Sequence, residues 1–237
     1  MDCLLTAKSS RFQVRHLIRT SIVVLVLTQL SGCLTILKTS QAEAKITHHL
    51  DNLVVMETSR SLTKYDKMLN FEICKTFYKN YRDVFDVLLI ISNVPRDKFE
   101  DGEVGYYGKM SLVRNDELGT GVGIFDYGDW YYSEEALRGV MHLPSRNFLG
   151  SGPTLHEFMH LWVLDRQVIP TVIEGHWGFG CVHGQLGGID LKNLVELGED
   201  RFAAGLFGLN ANFGNSLPYA PLELNLAGWI TEGYLGC

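Results

Sequence analysis

Cysteine is scarce in this chain of 237 residues. Five are present, at Cys3, Cys33, Cys74, Cys181 and Cys237, and none stands in a CxxC pair. That spacing excludes a disulfide framework and gives no basis for a cysteine-built zinc site, although a single bridge in an oxidising compartment stays open. Positive charge is short as well: 21 Lys and Arg residues face 27 Asp and Glu residues, for a net charge of −6. An acidic surface repels phosphate backbones, so nucleic acid is excluded as an electrostatic partner. The chain also lacks internal repeats, low-complexity tracts and an uninterrupted apolar run of the roughly 18 residues that a membrane-spanning helix needs.

The first thirty residues read as a leader. Arg11, Arg15, His16 and Arg19 form a basic segment, SIVVLVLTQL (21 to 30) is a short apolar one, and LSGC follows, ending at Cys33. The run resembles the lipobox of bacterial lipoproteins, which implies cleavage before Cys33, a diacylglycerol on its thiol, and a protein tethered to the cell envelope, periplasmic or surface-exposed. Removing Lys8, Arg11, Arg15, Arg19 and Asp2 from the totals leaves a mature chain of net charge −9. The expected organisation is a signal peptide over 1–32, a tether over 33–58 and one domain over 59–237. The end at GYLGC, without a charged tail, reads as a truncated terminus.

Within the domain, Leu62, Tyr65, Leu69, Ile73, Phe77 and Tyr81 recur at spacings of three and four, predicting an amphipathic helix over 61–82. The apolar run at 83–95 predicts a buried strand, and 104–114 and 121–128 predict two more. Pro153 suits the first turn of a helix over 153–167, which Pro170 would end. A glycine-rich stretch (171–189), a helix over about 191–206 and a last short helix or turn over 220–230 complete the order. Elements grouped this way fit an α+β fold better than an alternating βαβ one.

TLHEFMHLW (154 to 162) carries the chemistry. His156 and His160 are one helical turn apart, so both imidazoles can reach one ion, and Glu157 lies beside a water bound on it. Zn2+ with two such ligands needs a third and an open position for water. Val163 and Arg166 stand where metzincins place the glycine and third histidine of HExxHxxGxxH, which excludes that class. Glu174, His176, His183 and Asp190 are the candidates for the third ligand, with Cys181 relevant only to a closed, structural zinc site. His183, Tyr219 and Tyr234 are candidate donors to a developing oxyanion. Glu223 could orient a ligand from behind, and strand 121–126 could pair with an extended peptide.

HEFMH, HWGF, the glycine pair of GQLGGID and the late run APLELNLAGWI together resemble a largely uncharacterised group of secreted bacterial zincin-like metallopeptidases, over about residues 150 to 235. Asn225 and Ala227 depart from the tyrosine and methionine usual in the late run. The resemblance implies a zincin-like α+β fold, a small mixed sheet beside an active-site HExxH helix. It implies His176 as the third zinc ligand beside His156 and His160, Glu157 as general base, and a peptide or protein substrate. The alternative is a surface lipoprotein that keeps this scaffold without catalysis and only binds.

Overall fold

A computed structural model describes residues 22–28, 43–50, 52–118, 122–163, 173–212, 214–231 and 233. These fall into two compact units, one from Ile18–Asp116 and Ile124–Gly152, the other from Glu117–Gly123 and Pro153–Cys237. The fold is mixed α+β with small sheets, as the order of elements predicts.

The first unit contains, in chain order, β1 (Ile22–Thr28), β2 (Ala44–Leu50), β3 (Leu53–Thr58), α1 (Lys67–Tyr78), β4 (Val87–Ser92), α2 (Arg96–Glu100), β5 (Lys109–Leu112), β6 (Arg114–Asn115), β7 (Phe125–Asp126), α3 (Gly128–Tyr131), β8 (Gly139–Leu143) and α4 (Phe148–Ser151). Six strands form one sheet in the order β2-β3-β1-β4-β8-β5. The inner strands β3, β1, β4 and β8 run parallel, and the outer β2 and β5 pair antiparallel. All six residues of β4 are buried, as expected of an uninterrupted apolar strand with neighbours on both sides.

Asp66 caps α1 by accepting from the Leu69 backbone N–H at 3.0 Å, so the helix starts at Lys67 rather than at residue 61. Leu69, Ile73 and Phe77, spaced at four, then join Val54, Met56, Leu88, Ile90 and Val140 in the core. The 104–114 stretch yields β5 and β6, split at Val113, and 121–128 yields only the two residues of β7.

Two leader-and-tether expectations meet a different local structure. Residues 44–58, expected as a tether, form the β2–β3 hairpin, because Val54 and Met56 alternate inward and are buried. Ile22–Thr28, expected as the apolar part of a leader, is β1 and pairs in register with both β3 and β4, Val24 lying opposite Leu53 and Leu89. Branched apolar residues suit a strand paired on both edges as well as they suit a leader. Cys33 lies outside the described residues, as does Cys237; Cys74 is buried and Cys181 is exposed.

The second unit contains α5 (Thr154–Met159), β9 (Leu194–Gly198), β10 (Arg201–Ala204) and α6 (Pro221–Leu226). The helix expected over 191–206 is instead a single 3-10 turn followed by the β9–β10 hairpin. Gly198, Glu199 and Asp200 all adopt positive φ, reversing the chain where a helix would have to continue. Among the described residues no helix is long and apolar enough to cross a membrane.

His142 on β8 is fully buried, with Nε2 2.6 Å from Ser92 Oγ and the Tyr106 ring against it. Burial pushes its pKa from 6.5 down to about 3. Between these values the unfolded chain binds a proton that the native chain does not. Stability is therefore full above pH 6.5 and falls by about 1.4 kcal/mol per unit as the pH drops toward 3. In urea unfolding, wild type should lose about 2 kcal/mol more than His142→Gln between pH 7 and pH 5; equal pH slopes for both proteins would refute it. Removing residues 1–32 deletes β1 and should lower the thermal midpoint of this unit, an effect absent if the sheet closes without that strand.

Candidate metal centre

Six residues are too few for a helix to persist alone, so α5 depends on what holds its ends. Its first turn is fixed by the Glu157 N–H donating to Pro153 O (2.8 Å) and the Leu155 N–H donating to Asn215 Oδ1 (2.9 Å). The Tyr219 hydroxyl donates to Leu155 O at 2.9 Å. The helix ends with His160 as its C-cap, well short of Gln167. Leu161 and Trp162 donate to carbonyls three residues back, which tightens the last turn. His156 and Glu157 are buried, while His160 is half-buried at the helix end.

His176 arrives on a loop. Gly175 and Gly178 bracket it with φ of +70° and +51°, values that favour glycine. Trp177 is buried beside Met159, Val163 and Leu186, and its backbone N–H donates to Leu186 O at 2.8 Å. The loop therefore packs under α5 through the residue next to the histidine.

The three imidazoles converge. His156 Nε2 lies 3.3 Å from His160 Nε2 and 3.3 Å from His176 Nε2, and one ligand atom from each ring falls within 4.8 Å of the others. The opposite nitrogens are committed: His156 Nδ1 donates to Gln185 O and His176 Nδ1 to Glu174 O, both at 2.8 Å. A carbonyl only accepts, so in the neutral rings these bonds put the proton on Nδ1 and leave the Nε2 lone pair inward. Burial pushes the His156 pKa down, which favours that neutral form. Lone pairs facing each other at 3.3 Å repel, and a cation between them removes the repulsion. The three imidazoles could hold a metal ion, and the carbonyl anchors of His156 and His176 are of the kind that orient metal-binding histidines.

Of the other residues singled out from the sequence, Glu174 contributes its backbone carbonyl and has an exposed side chain. His183 stands apart from the cluster, with Nδ1 3.9 Å from Asp190 Oδ2 and a left-handed φ of 49°. Asp190 accepts from the Lys192 N–H (3.0 Å) and Asn193 Nδ2 (2.6 Å). His183, Asp190 and Cys181 instead line a separate open cavity of about 430 Å3. Tyr219 is corrected as an oxyanion donor, because its proton goes to Leu155 O. Tyr234 lies outside the described residues. The strand proposed to receive a peptide is reduced to β7, which pairs with β6 in the other unit. Sequence reasoning missed Asn215 and the Gln185 carbonyl; a backbone acceptor leaves no signature in side-chain identity.

Glu223, on α6, is fully buried. Its Oε1 accepts from Trp177 Nε1 and the Leu186 N–H, each at 2.8 Å, and its Oε2 from the Gln185 N–H at 3.0 Å and the Ala220 N–H at 2.9 Å. Gly184 makes room for the carboxylate: a Cβ there would come within 2.4 Å of it. The chain matches no protein-family model, no curated protein and no solved structure.

Gly184→Ala should accordingly cost on the order of 1–3 kcal/mol in chemical unfolding. Gly205→Ala, whose Cβ would meet nothing closer than 3.5 Å, should stay within about 0.5 kcal/mol of wild type. Equal stability of the two variants would contradict the packing described around Glu223.

Proposed function

We propose that this protein is a zinc-dependent metallohydrolase of zincin-like build that cleaves peptide bonds. The observation that carries the reading is the convergence of His156, His160 and His176, with the far-side nitrogens of His156 and His176 held by backbone carbonyls. Buried Glu157, next to the first ligand on the same short helix, supports a hydrolytic role over a purely structural site.

Zinc held by three imidazoles supplies a Lewis acid and brings the pKa of a bound water toward neutrality. The chain's own part is to position and to move protons. His156, His160 and His176 present lone pairs in fixed directions, so little reorganisation is needed on binding. Glu157 takes a proton from the attacking water and delivers it to the leaving amine. The LSGC run adds an anchor at Cys33 and a place at the bacterial cell envelope. Processing there would also remove β1 from its sheet, so the anchored form would lack that strand.

Metal content of the full chain tests this reading. Near-stoichiometric zinc is expected in wild type and Glu157→Gln, with peptidase activity falling about 10²- to 10⁴-fold in that variant, and zinc lost in His176→Ala. Zinc retained in His176→Ala would remove His176 from the ligand set. Zinc without hydrolysis in any peptide screen would leave the non-catalytic binding lipoprotein. Absence of zinc from wild type would end the enzyme reading.

A further inference from the structure

We infer that Glu223 is a positioning residue for the metal centre, acting on His156 through the peptide group between Gln185 and Leu186. The inference rests on the metal reading above. That peptide group is used at both ends: its N–H, on Leu186, donates to Glu223 Oε1 at 2.8 Å, and its C=O, on Gln185, accepts from His156 Nδ1 at 2.8 Å. Carboxylate, peptide and imidazole form a continuous line. Metal-bound histidines commonly donate directly to a carboxylate or carbonyl, and here the carboxylate stands one peptide further back.

Three consequences follow from elementary electrostatics. A negative charge at the N–H end polarises the peptide and makes its carbonyl oxygen a stronger acceptor. A stronger acceptor holds the His156 proton on Nδ1 and leaves Nε2 the more basic nitrogen. The same Oε1 also accepts from Trp177 Nε1, the side chain adjacent to His176, so one oxygen fixes both the segment that carries His176 and the peptide that anchors His156. The remaining donors, Gln185 N–H and Ala220 N–H on Oε2, lock the carboxylate's rotation. The ion is desolvated but retains four N–H partners.

Glutamine at 223 offers one acceptor oxygen, and its NH2 group would face two N–H donors where an oxygen had accepted. The test compares full-length wild type, Glu223→Gln, Glu223→Asp and Asn212→Ala. Asn212 donates to Gly188 O and to Gly184 O, the far end of the peptide whose N–H serves Oε2, and leaves the Gln185–Leu186 peptide and the Trp177 indole untouched, so its loss loosens the same loop without breaking the line from Oε1 to His156. Two quantities are read: zinc affinity by competition with a chromophoric chelator, and the His156 tautomer by 15N NMR on the metal-free chain. Glu223→Gln should lose about 10- to 100-fold in zinc affinity and populate both His156 tautomers, while Asn212→Ala keeps wild-type values of both. Glu223→Asp, which retains the charge at shorter reach, should fall between and serves if the glutamine variant fails to fold. A folded Glu223→Gln or Glu223→Asp with unchanged affinity and an unchanged tautomer overturns the inference, as does equal loss in Asn212→Ala. If wild type binds no zinc the metal reading fails, and the tautomer in metal-free protein still decides whether Glu223 governs His156.

Discussion

A single buried carboxylate ties the second unit together. Glu223 collects N–H groups from three places in the chain: the indole of Trp177, the consecutive amides of Gln185 and Leu186, and the Ala220 amide at the start of its own helix. An unpaired carboxylate in that position would be too costly to bury, and four donors make it tolerable. The loop bearing His176 and the turn that anchors His156 are both fixed relative to α6 by this one group. The apolar contacts of Met159, Val163, Trp177 and Leu186 fill the space around it.

The histidine cluster is therefore a property of tertiary structure rather than of its helix. His156 and His160 owe their shared face to helical spacing, but a helix of six residues has no independent stability. It is held by Asn215 and Tyr219, about sixty residues further along, and by the docking of the Trp177 loop. Site geometry and folding of this unit are thus one event. A cation that prefers the converged imidazoles would stabilise the unit by its own binding free energy.

Much of this was legible in the sequence, for identifiable reasons. The spacing of HEFMH, the apolar positions of α1, the uninterrupted run of β4 and the Pro221 start of α6 are local signals, and local physics decides them. Glu223 was suspected as a partner of a ligand, yet its route through a peptide was not readable, because backbone groups are identical at every residue. The β9–β10 hairpin was mistaken for a helix: its turn rests on Glu199 and Asp200 in left-handed conformations, which neither residue type announces. Length misled the reading of α5, since residues 160 to 167 contain nothing that forbids a helix. The 44–58 stretch looked like a tether because its polar residues lie on exposed positions of β2, while β3 carries the inward-facing valine and methionine.

β1 lies between β3 and β4, which among the described residues pair with no other strand on that side. Whenever Ile22–Thr28 is engaged elsewhere, in a translocation channel or a bilayer, β3 and β4 each show an open row of backbone donors and acceptors flanked by buried valine, leucine and isoleucine. Such edges recruit other strands, from the same chain or from another. Under the proposed envelope location, the order of export, processing and folding would set how long these two edges stay uncovered. A segment that looks like an address label would act, whenever it occupies the sheet, as the guard against self-association.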